Sequence, residues 1–246
     1  MLKVNKIYLG DCYKLIKNIP DNSIDLILTD PPYNFHCGTI NKTGIFKNRL
    51  TVPGKEIVNM NMNDGYDISI LKEFVRVLKN INIFIWCNKE QIRDYLNFFE
   101  NYDTIFEILT WHKTNPTPLT SNTFLPDTEY CLYFREKGKV KLNDGYDLKS
   151  KYYITSTNKV DKDNYLHPTI KPLKVIKKQI LHTTKENDVV LDCFCGSGTT
   201  CLAARETNRN FIGFEINEKY YKIACNRLNG ILASGQTSIF TDFEEI

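Results

Sequence analysis

Short, β-branched apolar runs alternate along this chain with segments whose apolar positions recur at helical spacing, a pattern that predicts a parallel sheet covered by helices. The strand-type runs are Ile24–Thr29, Ile81–Trp86, Thr104–Trp111, Glu129–Phe134, Val189–Asp192 and Phe211–Phe214. Between them, Ile70, Leu71, Phe74, Val75 and Leu78 mark one face of a helix, and Tyr95, Leu96 and Phe99 mark another. Pro172 suits the first turn of a helix whose Val175, Ile176, Ile180 and Leu181 face inward. A last helix is expected from about Glu218 to Leu232, with Gly230 close to its end. Two stretches break the alternation. Residues 36–64 are polar and punctuated by Gly38, Gly44, Pro53 and Gly54, and residues 137–166 mix lysines with tyrosines. Both are expected as insertions on a single domain spanning residues 1–246. The string Asn-Asp-Gly-Tyr-Asp, at Asn63 and again at Asn143, fits turn chemistry rather than an architectural repeat.

Composition narrows the classes. With 246 residues, 42% hydrophobic and 25% charged, the chain can bury a sizeable core. Its formal net charge of +3 permits a nucleic-acid partner without demanding one. The lysines at 137, 139, 141, 149, 151, 159 and 162, set against Asp144, Asp147, Asp161 and Asp163, concentrate that excess in the second insertion. The apolar run at Ile83–Cys87 is too short to cross a bilayer, and no signal-peptide layout opens the sequence, so a cytoplasmic location and no membrane partner are expected. Eight cysteines are scattered, and the close pair Cys193 and Cys195 lacks partners at zinc-site spacing. Small buried hydrophobes are the expected role, with no metal.

Two constellations carry chemistry. Thr29-Asp30-Pro31-Pro32-Tyr33-Asn34 follows an apolar strand, and ligands in open α/β sheets bind beyond the carboxyl ends of strands. An exocyclic base amine is a poor nucleophile because its lone pair is delocalised into the ring. A carboxylate at Asp30 and a fixed carbonyl at Pro31 can accept its two N–H hydrogens, which favours a pyramidal nitrogen. The prolines, with φ locked, hold those carbonyls in place. Tyr33 offers a face on which an extruded base can stack, worth roughly 1–3 kcal/mol against an extrusion cost of a few kcal/mol. Taken alone, the motif also fits a Pro-Pro turn capped by Asp.

The second constellation is Val189-Val190-Leu191-Asp192-Cys193-Phe194-Cys195-Gly196-Ser197-Gly198-Thr199-Thr200, a strand, a glycine turn and a helix start. Glycines allow close approach of backbone to ligand, and a helix N-terminus favours anionic groups. The next strand ends at Glu215, placed to accept from both hydroxyls of a ribose. A dinucleotide fingerprint would need glycine where Cys201 stands, so a mononucleoside-like ligand fits better.

These motifs, in this order, resemble the β-class DNA amino-methyltransferases, in which the catalytic motif precedes the cofactor motif. The resemblance extends to Gly10-Asp11-Cys12, Trp111-His112-Lys113 with Asn115-Pro116, Asp127-Thr128-Glu129-Tyr130 and His167-Pro168-Thr169-Ile170-Lys171-Pro172. It implies an α/β, Rossmann-like S-adenosylmethionine-dependent methyltransferase fold with a mostly parallel central sheet, helices on both faces and a circularly permuted motif order. It also implies the site. Asp11 would hydrogen-bond the cofactor adenine with Cys12 beside that ring, Glu215 would hold the ribose, and Phe194, Gly196 and Gly198 would lie against the cofactor. His167, Thr169 and Lys171, with Ser197 and Thr199, would surround its methionine end, and Asp30 and Asp192 complete the cofactor-binding set. Asp30, Pro31, Pro32 and Tyr33 would act on the target base. Cys193 departs from the family, which usually has proline there.

By the same resemblance residues 137–166 form a small target-recognition insertion. Lys113, Asn115, Lys149, Lys151, Tyr152 and Tyr153 are the expected DNA contacts, lysines meeting phosphates and tyrosines stacking or wedging. The implied activity is transfer of a methyl group to adenine N6 in double-stranded DNA by direct in-line attack of a flipped base. A homodimer and a cognate restriction endonuclease are the further partners implied. Asp rather than Ser before Pro-Pro-Tyr leans toward adenine; cytosine N4, or a catalytically silent DNA-binding subunit on the same scaffold, stays open. Cytosine-C5 chemistry is disfavoured because no Pro-Cys dipeptide occurs, and a fused nuclease because no Glu-x-Lys occurs.

Overall fold

The computed structural model describes residues 2–33, 65–116, 124–145, 147–157, 159–167 and 169–235. Asn34, Pro168, the expected insertion at 36–64 and the end of the polar tail lie outside these. In chain order the elements are β1 (Lys6–Leu9), α1 (Cys12–Leu15), β2 (Leu26–Thr29), α2 (Ile70–Val77), β3 (Asn82–Cys87), α3 (Ile92–Phe99), β4 (Thr104–Lys113) and β5 (Thr128–Glu136). They continue with β6 (Tyr152–Thr155), α4 (Lys159–Tyr165), α5 (Leu173–Thr183), β7 (Val189–Asp192), α6 (Thr199–Glu206), β8 (Asn210–Glu215) and α7 (Glu218–Leu228).

The strands form one sheet in the order β1-β8-β7-β2-β3-β5-β4-β6. Pairing is parallel except at β5, which runs antiparallel to both β3 and β4. The central strands are apolar throughout because both faces are covered, as parallel sheets require. Alternation along each strand divides the core in two. Ile27, Ile83, Ile85 and Leu132 pack with Phe74 of α2 and Tyr95 and Phe99 of α3 on one face. Leu26, Leu28, Phe84 and Trp86 pack with Val175, Ile176 and Ile180 of α5 on the other. Each fully buried side chain of this size contributes about 1.5–3 kcal/mol.

Each of the six expected strands is present, with ends shifted by a residue or two. The alternating pattern did not reveal β1 and β6. Both are four-residue edge strands with only part of each buried, so neither carries a continuous apolar run. Residues 137–166, expected as a loop insertion, contain β6 and α4. The last helix stops at Leu228 rather than Leu232, because Asn229 and a left-handed Gly230 (φ 69°) turn the chain.

Candidate active site

Parallel pairing brings the carboxyl ends of β1, β8, β7 and β2 to one edge, where Leu9 lies opposite Glu215 and Asp192 opposite Gly213. Strand order reverses between β7 and β2, which opens a crevice at that edge. The crevice is a cleft of about 430 Å³, and the motifs after all four strands line it.

On the β7–β8 side the glycine turn is held by its own backbone. Cys195 N–H donates to the Phe214 carbonyl at 2.9 Å, and Gly198 N–H to the Cys195 carbonyl at 2.7 Å. Gly198 sits at φ 77°, and a Cβ there would meet Ala224 Cβ at 3.1 Å, so any side chain at this position is strained. Glu215 is buried and accepts from Gly196 N–H and from Asn217 N–H, each at 2.8 Å. Burial raises its pKa against those backbone donors. Asp192 faces only neutral donors, Thr29 Oγ1 at 2.8 Å and Phe194 N–H at 3.1 Å, and burial raises it to about 6. Asp11 caps α1 by accepting from Tyr13 N–H at 2.9 Å, and places buried Cys12 on the cleft wall. Phe194, Phe214 and Cys12 give that wall an apolar surface between two acids, which suits an adenosine-like ligand.

His167 closes the far end. Its Nδ1 accepts from Thr169 N–H at 3.3 Å, which assigns the proton to Nε2. Nε2 is buried next to Gly196 and, among the described residues, has no hydrogen-bond partner, so it offers a donor to the cleft. Burial, helped by Arg227, Lys162 and Lys219, lowers the imidazole to about 3 and keeps it neutral. Ser197 and Thr199 meet at the turn behind it, and both are tied to buried Arg227, whose Nη1 donates to Thr199 Oγ1 at 2.6 Å.

On the β2 side, Asp30 and Tyr33 meet a charge cluster. Lys171 Nζ reaches Asp30 Oδ2 at 2.6 Å, Glu129 Oε2 at 2.9 Å and Tyr33 Oη at 3.1 Å. Asp30 Oδ1 is shielded from solvent and, among the described residues, has no hydrogen-bond partner. The Pro32 carbonyl accepts from Gln91 Nε2 at 3.1 Å, which fixes the Pro-Pro turn to the start of α3. Lys113 is paired with Glu129 Oε1 at 2.6 Å. Burial alone would raise Glu129, but Lys171 and Lys113 outweigh it and hold the carboxyl at about 2.

The expected cofactor set lines one cleft except for Gly198, which packs against Ala224 behind the turn, and within the cleft Lys171 turns toward Asp30. The expected DNA contacts do not form one cluster. Lys113 is engaged by Glu129 and lies over the Trp111 ring, rather than presenting a free cation. Asn115 Oδ1 accepts from Thr157 N–H at 2.6 Å. Lys149 and Lys151 are exposed and paired with Asp144 and Glu107. Tyr152 is exposed, whereas Tyr153 is buried in the core beside Trp111 and cannot wedge into DNA from that position. No role in the site was legible in the sequence for Trp86, Gln91, Tyr220 or Arg227, and Glu129 stood out only within a motif and at the start of a strand run. No local spacing ties any of them to the glycine turn or to Asp30. Among the described residues no cluster of His, Cys, Asp and Glu could hold a metal ion, and no helix is long and apolar enough to cross a membrane.

Comparison with known proteins bears on this geometry. A family model described as DNA methylase matches residues 24–226. Type II methyltransferase M2.LlaDCHI of Lactococcus lactis subsp. cremoris is 33% identical over 89% of this chain and 87% of its own length. Type II methyltransferase M2.DpnII of Streptococcus pneumoniae is 32% identical over 91% and 90%. The crystal structure of the M1.HpyAVI–SAM complex superposes with a TM-score of 0.68 at 27% identity, covering 91% of this chain and 98% of that one.

Proposed function

This chain belongs to the DNA methylase family and is an S-adenosylmethionine-dependent DNA methyltransferase, and on that premise we propose that it methylates adenine N6. The observation that carries the reading is Asp30, at the end of β2 in the same cleft as the glycine turn. One of its oxygens is anchored by Lys171, and the other is shielded and has no hydrogen-bond partner among the described residues.

A shielded carboxylate oxygen with no donor is costly unless a ligand supplies one. An amine N–H of the flipped base is that donor in our reading, with the Pro31 carbonyl taking the second. Tyr33 then stacks on the base. Glu215 holds the ribose, Asp11 the adenine, and neutral His167 donates from Nε2 near the methionine end. S-adenosylmethionine, when bound, supplies the electrophilic methyl carbon. In-line attack by the amine would form the nitrogen–carbon bond as the carbon–sulfur bond breaks, S-adenosylhomocysteine leaving and one amine proton being lost afterwards, with no covalent enzyme intermediate. Asp30 and the Pro31 carbonyl localise the nitrogen lone pair and stabilise the positive charge that develops on it.

Double-stranded DNA is the substrate in this reading, the cytoplasm the location, and residues 137–166 the target-recognition element. Exposed Lys149, Lys151 and Tyr152 support that assignment. A homodimer and a cognate restriction endonuclease are the further partners. Support for the dimer is an apolar sheet face formed by Phe106 and Ile108 of β4 with Ile154 of β6, all exposed.

The test is incubation of the purified chain with unmethylated genomic DNA and S-adenosylmethionine, followed by nucleoside mass spectrometry. N6-methyladenine is the expected product. N4-methylcytosine would overturn the base assignment, and no methylated base despite cofactor binding would overturn activity of the isolated chain.

A further inference from the structure

We propose that Lys171 and Glu129 are positioning residues for Asp30, acting as one unit, and that Lys171 is not a ligand of the cofactor's methionine end. The proposal rests on Asp30 meeting the target amine. An ammonium has three N–H donors, and those of Lys171 face three oxygens, on Asp30, Glu129 and Tyr33. The rings of Trp86 and Tyr33, centred 5.1 and 5.4 Å from Nζ, close the remaining approaches. No donor is left to reach a third carboxylate, that of the cofactor.

Charge alternates along the cluster: Asp30, Lys171, Glu129, Lys113. Two carboxylates and two ammoniums leave it neutral. Neutrality matters because both the sulfonium of the methyl donor and the amine in the transition state carry positive charge. Without Glu129, two lysines would face one aspartate, and the cleft would repel both. Without Lys171, Asp30 and Glu129 would face each other with Lys113 reaching only Glu129, and one carboxyl would keep its proton. Asp30 would then present an O–H where an acceptor is needed. Lys171 therefore fixes the direction of the Asp30 carboxylate, and Glu129 fixes Lys171.

The titration directions agree with this geometry. Burial alone would lower Lys171 and raise Glu129, yet their opposite charges drive Lys171 up and Glu129 down. Other titratable groups face the cluster from neighbouring elements. Cys87, Cys131 and Tyr95 are held neutral by burial. Lys162 of α4 is lowered by burial despite Glu129, and Asp192, at about 6, has titrated before neutrality is reached. The informative range therefore starts at about pH 7 and runs to about pH 9.5.

The test measures methyl transfer to DNA and cofactor affinity for wild type, Lys171→Met, Glu129→Gln and the double variant across that range. Lys171→Met is expected to lose roughly a hundredfold in kcat at about pH 7, with cofactor Kd within about threefold of wild type. Its rate should climb with pH as Asp30 ionises. Adding Glu129→Gln should restore at least about tenfold at the same pH, because it removes the carboxylate that opposes that ionisation. Glu129→Gln alone leaves Lys171 with one anion instead of two, so its rate should fall at a lower alkaline pH than wild type. That arm stands even if Lys171→Met fails to fold. A Lys171→Met enzyme with intact kcat at saturating cofactor and a Kd weakened tens of fold would overturn the proposal in favour of a cofactor ligand. Equal losses in single and double variants at every pH would reduce the cluster to a structural brace. Wild type that makes no methylated base would instead sink the underlying reading.

Discussion

In the half of the sheet built from β1, β8, β7 and β2, each acid of the cleft stands at the carboxyl end of a strand. Asp11, Asp30, Asp192 and Glu215 all follow this rule. In the half built from β3, β5 and β4, Glu129 reaches the same cleft from near the start of a strand. The cause is direction: antiparallel β5 brings its beginning to the edge where its parallel neighbours end. The halves also differ in electrostatics. Asp192 is buried among neutral donors and is raised to about 6, while Glu129 is half-buried between two lysines and held at about 2. Parallel strand ends thus supply a polar cradle of backbone and hydroxyl groups. The antiparallel half supplies paired charge, and Asp30 stands where the two meet.

Breaking the meeting point should have the largest effect. Asp30→Ala is expected to lower kcat by at least about a thousandfold while cofactor binding survives, read by methyl transfer alongside calorimetry. Turnover within tenfold of wild type would remove Asp30 from the reaction.

Next come two changes confined to the parallel half. Gly198→Ala forces a side chain into a left-handed turn against Ala224, and should lower stability by about 1–3 kcal/mol and weaken cofactor binding. An unchanged melting temperature would show that the turn can relax. Glu215→Ala should weaken cofactor binding by roughly tenfold to a hundredfold, with kcat at saturating cofactor much less affected, if the carboxylate holds the ribose. An unchanged dissociation constant in calorimetry would contradict that role.

The electrostatic contrast predicts opposite responses of stability to pH. Asp192 binds its proton more tightly folded, at about 6 against an ordinary 3.8, so its contribution is lost as pH rises through that interval. Glu129 binds its proton less tightly folded, at about 2 against 4.5, so its contribution is lost as pH falls through that interval. Relative to wild type, Asp192→Asn should therefore gain melting temperature as pH rises from about 4 to about 6, and Glu129→Gln should lose it as pH rises from about 2 to about 4.5, by a few degrees each. Shifts in the same direction would erase the distinction between the halves.

The smallest effects belong to the surface. Lys151→Ala breaks an exposed pair with Glu107, and should change stability by no more than about 0.5 kcal/mol. If Lys151 meets a phosphate, DNA affinity should fall and its logarithmic salt dependence should lessen by roughly one. An unaltered slope would place DNA elsewhere.

Six strands, the Asp-Pro-Pro-Tyr turn at the end of β2, the glycine turn and Glu215 were legible in the sequence because each depends on neighbours in the chain. An apolar run bounded by a turn is a local pattern, and in a parallel strand the functional residue follows directly. Residues such as Asp30 and Gly198 are also of types that the chemistry or the backbone demands where they stand. The edge strands β1 and β6 were hidden because only part of each is buried. Glu129, Trp86 and Arg227 were hidden because their partners lie far along the chain. Lys113 and Lys171 could be seen as cations, but their occupation could not. A lysine's charge is written in the sequence, while the oxygens that claim it depend on which strand ends are brought together and in which direction they run. Tertiary structure alone decided that Lys171 faces Asp30 and Glu129, because strand order and the reversed β5 place those carboxylates within reach of one buried ammonium.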